Sequence, residues 1–324
     1  MEKTAERAKA ARKTKVKKGT NGSASMKSMD WQLTLMVSIP ILFLLVFNYL
    51  PMFGLRLAFV DKYIYSEGIW RSPWGGLKWF RYMFQSLPEF QRAFVNTLII
   101  AVSKLVFGFP VPIIVALLLN EVKSVAAKKL IQTAIYLPYF LSWVLLGGIM
   151  KNIFQQGGVF DSIVTAFGGT PKLWLQDNST FVPILVISDI WKGFGFGTII
   201  YLAGLTNVDP NLYEAAEIDG ATRLRQTFAI TLPAIMPVIM LNLVLNLGSV
   251  LNAGFEQILV LYSPKVYQSA DIIDTLVYRL TLQTGGSSNY PIGTAIGLFK
   301  SVISLILIAG GNLIMTKTSD YRIF

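Results

Sequence analysis

Stretches of roughly twenty mostly apolar residues recur along this chain, and that length is what ~30 Å of hydrocarbon demands of a helix. A helix also satisfies all its backbone groups within one segment, which lipid requires. The expected spans run from about Leu33 to Leu50, Phe94 to Leu119, Leu130 to Met150, Phe181 to Gly204, Ile230 to Leu251 and Ile292 to Met315. Asn48 and Pro51 bound the first, and Lys300 lies inside the last. With 53% hydrophobic and only 15% charged residues, the chain has too few charges to cover a soluble domain. The expected fold is an all-α polytopic membrane protein of six transmembrane helices, formed by residues 31–324 behind a tail of residues 1–30.

That tail holds much of the net charge of +11, with nine basic residues against Glu2, Glu6 and Asp30. It has almost no large apolar residues and is expected to be disordered or loosely helical. A nucleic-acid arm is the sharper reading. The plainer one, preferred here, is a cytoplasmic tail that obeys the positive-inside rule and touches anionic lipid, with no nucleic-acid partner. The basic stretch is too long for a cleaved signal peptide. With the tail inside, Lys123, Lys128 and Lys129 also fall inside, as do the segment around Glu214 and the C-terminus with Lys317 and Arg322. The connections Leu50–Arg92, Lys151–Thr180 and Asn252–Pro291 then lie outside. Trp74, Trp79, Phe80, Tyr82 and Phe84, mixed with Lys78 and Arg81, suit an interfacial helix. Ile258 to Tyr262 is too short to span and reads as re-entrant or surface-packed.

There is no cysteine and no histidine, which removes disulfides, thiolate nucleophiles and imidazole chemistry together. No Gly-Lys dipeptide occurs, so the chain has no phosphate-binding P-loop. Any nucleotide energy must come from another chain. No cofactor or metal is expected on this one.

Between the fourth and fifth spans lies a polar segment, residues 209–229, that cannot sit in lipid. Asp209-Pro210 fits a helix start, with a capping carboxylate and then proline at the first helical position. Gly220 fits a left-handed stop. A second helix from Thr222 should run into the fifth span. Ala215 and Ala216 leave a small, flat face that a partner can approach closely. Glu214, expected in the first turn, is placed to meet a partner's arginine.

The run Glu214-Ala215-Ala216, then Gly220, then Ile230-Thr231-Leu232-Pro233 resembles the coupling loop of permease subunits in bacterial ATP-binding-cassette importers. Ile190-Trp191-Lys192, Leu137-Pro138-Tyr139-Phe140 and Gly293-Thr294-Ala295-Ile296-Gly297 are similar to the oligosaccharide branch of that family. The resemblance covers nearly all of the chain after residue 30. It implies an inner-membrane importer subunit with a second permease subunit, two ATPase subunits carrying ATP and magnesium, and an external solute-binding protein. It also implies that Glu214, Ala215, Ala216, Asp219 and Gly220 form the helix an ATPase grips. Uronate-containing, alginate-like oligosaccharides are among the cargoes of that branch.

Polar residues inside the spans mark a candidate pathway. Asn242, Asn246 and Ser249 share one face of the fifth helix, with Asn252 near its edge. Amides there can bond sugar hydroxyls or neighbouring helices, and both roles are open. Lys104, Lys192 and Lys300 must snorkel, pair or face water, since insertion of a lysine costs ~2.5–3.5 kcal/mol. Asp189, three residues before Lys192, is its expected partner. Lys192 and Lys300 are included in the pathway in case the cargo is anionic. Gly293 and Gly297 read as a close-packing face. The alternative function, an ion-coupled sugar transporter, requires mid-membrane carboxylates that titrate, and Asp189 is the one candidate within a span.

Overall fold

The computed structural model describes residues 31–283 and 289–318; the basic tail of residues 1–30 and Arg322 lie outside the described residues. Among the described residues the chain is almost entirely helical, with a single isolated bridge between Val60 and Trp74 and no strand. Five helical stretches are long and apolar enough to cross a membrane, and a bent helix pair supplies a sixth.

The chain divides into two compact units, residues 1–54 and residues 55–324. The first contains α1 (Trp31–Leu44), whose apolar residues from Leu33 onward are exposed on every side. Such a helix needs apolar surroundings. Asn48 and Pro51 do not end this span. Leu45–Tyr49 forms a π turn and Leu50–Phe59 a 3-10 stretch, so the apolar helix runs from Leu33 to Phe59. Pro51 is tolerated because it sits in the opening turn of the 3-10 stretch, where a missing N–H costs little.

In the second unit, α2 (Gly68–Arg71) and α3 (Lys78–Gln85) precede the second span, which consists of α4 (Pro88–Gly108) and α5 (Pro110–Asn120). The expected interfacial helix is α3. It is pinned by Trp79 Nε1 donating to the Val60 carbonyl at 2.7 Å and by the Lys78–Asp61 ion pair at 2.6 Å. Met83 and Phe90 are buried with Ile273, Leu276, Ile292 and Ile296, so α3 packs onto protein while Trp74, Tyr82 and Phe84 stay exposed.

The third span is broken. α6 (Val125–Tyr136) leads into a 3-10 turn, Leu137–Phe140, and α7 (Trp143–Phe154) leaves it, with α8 (Val159–Ala166) continuing beyond. The two halves meet at 95°. Pro138 cannot donate a helical hydrogen bond, and Ser142 caps the new helix by accepting from Leu145 N at 3.2 Å.

The centre of the unit is α9 (Asn178–Leu205), which packs against α4, α5 and α12 (Leu232–Ser249). Between α9 and α12 lie α10 (Pro210–Ile218) and α11 (Arg223–Gln226), followed by a π turn at Thr227–Thr231. Helices in lipid gain little from hiding apolar surface, so close packing and small residues hold them together. Gly195 shows this most clearly: a Cβ there would run into the carbonyl group of Ile135 on α6. The Gly293–Gly297 face is only half used, since Gly293 lies against Thr281 while nothing approaches Gly297.

Beyond α12, the short apolar segment forms α13 (Phe255–Leu261), with Gln257, Ile258 and Leu261 buried. α14 (Tyr267–Ala270), α15 (Ile273–Tyr278) and the final span α16 (Tyr290–Thr318) complete the chain. Ile258, Leu261, Ile100, Leu185 and Phe181 share one core, so α13 is held inside the helix bundle and does not lie on its surface.

Candidate functional site

Two features stand out: a cavity of about 530 Å³ walled by α4, α5, α9 and α12, and the polar helix α10, which with α11 and a π turn joins α9 to α12.

Asn242, Asn246, Ser249 and Asn252 all line that cavity, so the amide face read from the spacing is real. Asn242 donates to the Tyr201 hydroxyl at 3.2 Å, and Asn246 to the Asn242 carbonyl at 2.8 Å. These bonds leave the amide oxygens free to accept, and each amide can still donate. Phe196 faces the same space and is stacked on Tyr139 with ring centroids 4.0 Å apart. Amides beside a fixed aromatic ring match the two surfaces of a pyranose, its rim of hydroxyls and its apolar C–H face.

The charged groups on the wall are Lys104 and Asp189, one from α4 and one from α9. Lys104 Nζ lies 3.1 Å from Asp189 Oδ1 and donates to Gln257 Oε1 at 2.6 Å. Gln257, fully buried, donates in turn to the Leu185 carbonyl and Ser188 Oγ at 2.9 and 2.8 Å. The network joins α4, α9 and α13. Gly254 (φ +83°) gives Lys104 its room, because a Cβ there would collide with the ammonium group. The sequence offered one signal for this pair: two opposite charges at span depth on different spans.

The expected Asp189–Lys192 pair does not form. Lys192 points away from the cavity and donates to the Tyr139 carbonyl at 2.9 Å, with its ammonium over the rings of Tyr139 and Trp143. The carbonyl belongs to the broken turn at Pro138, where the helical ladder is interrupted, and so competes well for a cation. Lys300 donates to both carboxylate oxygens of Asp274, at 2.8 and 2.7 Å, and to Asn252 Oδ1 at 2.8 Å. Neither Lys192 nor Lys300 lines the cavity, although Lys300 holds one of the residues that does.

In α10, Asp209 Oδ1 accepts from Asn211 N at 3.0 Å, and Pro210 occupies the first helical position. Glu214 therefore falls in the second turn and not the first. It is exposed and carries no hydrogen bond or ion pair among the described residues. Gly220 (φ +73°) closes the helix: its N–H reaches the Glu217 carbonyl at 3.0 Å, and Ala221 N reaches the Ala216 carbonyl at 2.8 Å. Ala215, Asp219 and Gly220 are exposed, and Ala216 is half-buried. Thr222 caps α11, and Glu217 pairs with Arg223 across the turn at 2.9 Å. Tyr213 Oη and Thr231 Oγ1 share a hydrogen bond of 2.9 Å that ties α10 to the foot of the next span. Sequence reasoning missed that tie. Leu212, Ile218, Leu224 and Phe228 add an exposed apolar surface, with Ile218 87% exposed.

At the end of the bundle remote from α10, a bidentate Arg279–Asp271 pair (3.0 and 2.6 Å) is braced by Thr275. The Asp271 carboxylate raises the Arg279 guanidinium above its ordinary range. Burial, with Tyr267 alongside, pushes the Tyr262 phenol up to about 12.

Residues 108–318 match the family described as "Binding-protein-dependent transport system inner membrane component". The chain is 42% identical over 308 residues to protein LplB of Bacillus subtilis (strain 168), covering 95% of each. It is 41% identical over 293 residues to the polygalacturonan/rhamnogalacturonan transport system permease protein YteP of the same organism, covering 90% of each. Among solved structures it matches a bacterial ABC transporter involved in the import of the acidic polysaccharide alginate. There the TM-score is 0.81 at 39% identity, covering 89% of this chain and 96% of that one. A structure of bacterial alginate ABC transporter in complex with an alginate pentasaccharide-bound periplasmic protein gives 0.82 at 39% identity, covering 91% and 97%.

Proposed function

Because the chain belongs to the family of binding-protein-dependent inner membrane transport components, we propose that its central cavity conducts an acidic oligosaccharide and that α10 receives the driving motion. The chain is the permease subunit of an ATP-binding-cassette oligosaccharide importer. It is a transport subunit, not an enzyme. The observation that carries the proposal is the cavity wall itself, where Asn242, Asn246, Ser249, Asn252 and Phe196 converge at span depth.

The partners follow from the same reading. A second, related permease supplies the opposite wall of the pathway, and the exposed apolar faces of α5, α6 and α7 suit both it and lipid. Two ATPase subunits bind ATP and magnesium, and an external solute-binding protein delivers the cargo. Both termini and α10 then lie on the cytoplasmic side. Glu214, Ala215, Ala216, Asp219 and Gly220 enter the ATPase cleft, where Glu214, having no partner among the described residues, meets an arginine. The apolar surface of Leu212, Ile218, Leu224 and Phe228 supplies contact area. Closure of the ATPases moves α10 as a lever, and α9 and α12 carry that movement to the cavity. Lys192 and Lys300 hold α9 and α16 in place without touching the cargo.

The test is co-purification of tagged permease with its ATPase subunits. Glu214→Lys combined with Gly220→Arg is expected to abolish capture of the ATPase while the permease still inserts. Asn242→Ala with Asn246→Ala should instead retain the ATPase and lose transport. Undiminished ATPase capture by the first variant would refute the coupling assignment.

A further inference from the structure

A second cavity, of about 330 Å³, opens at the end of the bundle remote from α10, where α7, the segment before α9, and the end of α13 meet. It lies within the ~300 Å³ and upward range of small-molecule sites. Its lining combines Lys151, Gln155 and Gln176 with Phe154, Tyr262 and Ser263.

Lys151 is the one charged residue in the lining, and it makes no ion pair or hydrogen bond among the described residues. Five other charged groups at this end are already held by partners. Lys172 pairs with Asp177 at 2.8 Å, Asp271 with Arg279 at 2.6 Å, and Asp161 accepts from Gly157 N, Lys172 N and Trp174 Nε1. Ser263 Oγ is buried and has no hydrogen-bond partner among the described residues, an uncommon state for a hydroxyl. An unpaired cation, two amides, a phenol and an aromatic edge thus converge on a concave space.

The central cavity has a different character. There Lys104 is matched by Asp189, so this chain's wall presents hydroxyl-reading amides with no net charge. We propose that the second cavity is a subsite for one uronate residue of the cargo, with Lys151 binding the sugar carboxylate and Gln155, Gln176 and Tyr262 meeting its hydroxyls. This rests on the import reading and its orientation, which put the cavity at the outer entrance. Carboxylates are read there, before the chain of sugars reaches a central cavity that reads hydroxyls. A concave site with amides favours a sugar over the alternative, an acidic side chain of the docking solute-binding protein.

The test uses proteoliposomes holding the complete importer, with solute-binding protein loaded at sub-saturating concentration. The probes are alginate and galacturonate trisaccharides and their carboxyl-reduced, neutral forms. Lys151→Met is expected to slow uptake of the acidic trisaccharides about fivefold, the effect of losing one partly exposed ion pair. Uptake of the reduced forms is expected to change less than twofold, and Lys151→Arg to restore most of the acidic rate. Equal loss for acidic and reduced cargo would place Lys151 on the binding protein and overturn the subsite, as would no loss at all. Wild-type uptake of only the reduced forms overturns the subsite and leaves import standing. Wild-type uptake of none of the four overturns the acidic-oligosaccharide reading of the cargo.

Discussion

The Lys104–Asp189 pair can be interrogated by a double-mutant cycle whose outcome the geometry predicts. Lys104 is the more buried partner, its side chain 11% exposed against 36% for Asp189. At 3.1 Å, two unit charges attract by about 5 kcal/mol in an effective dielectric near 20, before either ion's lost hydration is counted. Asp189→Asn leaves the ammonium with Gln257 as its acceptor and the cavity's water. Stranding a buried charge costs about 3–5 kcal/mol, and the partial exposure of Asp189 roughly halves that, to about 2 kcal/mol. Lys104→Met leaves a carboxylate that still sees water, so its cost should be nearer 1 kcal/mol. Lys104→Met with Asp189→Asn removes both charges, and should be no worse than Asp189→Asn alone, giving a coupling energy of about 1 kcal/mol. Thermal unfolding of the purified permease in one detergent, followed by circular dichroism, reads these differences. About 2 kcal/mol corresponds to a fall of about 4 °C for a chain above 250 residues. Strict additivity, with the double variant falling by the sum of the two singles, would refute the pairing.

Gly195→Ala should lower the same melting temperature, because the added methyl meets the Ile135 carbonyl and overpacking of this kind costs about 1–3 kcal/mol. Gly148→Ala, where nothing lies within 4 Å, should be neutral or slightly stabilising, and equal effects at both sites would overturn the close-approach argument. Asp177 has its carboxyl lowered from 3.8 to about 2, first by the Lys172 hydrogen bond and then by the Ser179 N–H and hydroxyl. A depressed carboxyl contributes stability that is present above its unfolded value and lost as pH falls through its folded one. The contribution should therefore fade between about pH 4 and pH 2, and Asp177→Asn should flatten an acid melting profile in that window.

What could be read from the sequence divides along the range of the interactions. The α10 turn was legible because its signals are local: Asp209 before Pro210, Gly220 at the stop and Thr222 at the restart each act within four residues. The amide face of α12 was legible for the same reason, since Asn242, Asn246 and Ser249 recur at helical spacing. Glu214 was placed one turn too early because the first helical position belongs to Pro210. The partner of Asp189 could not be decided from local spacing. Its own helix offers Lys192, but a carbonyl at the Pro138 break took that cation, and Lys104 arrives from a span 85 residues away. Pro138 itself advertised a kink, but a local signal carries no angle, and the bend is 95°. The second cavity had no sequence signature, because its lining comes from three separate segments.

The connectivity around α10 bears on how a push there could reach the cargo. α9 ends and α12 begins on either side of it, and both helices wall the central cavity. The turn at Gly220 is closed by two backbone hydrogen bonds, the Glu217–Arg223 pair spans it, and Tyr213 is bonded to Thr231. A displaced α10 therefore cannot simply hinge at its own turn; it takes the foot of α12 with it. The softer elements are the π turn at Thr227–Thr231 and Pro237 inside α12, where the helical ladder is already irregular. Asn242, Asn246 and Ser249 lie beyond both, so bending at either would swing the amide face relative to Phe196 on α9. The helix that carries Asn242, Asn246 and Ser249 is thus the one a displaced α10 reaches first.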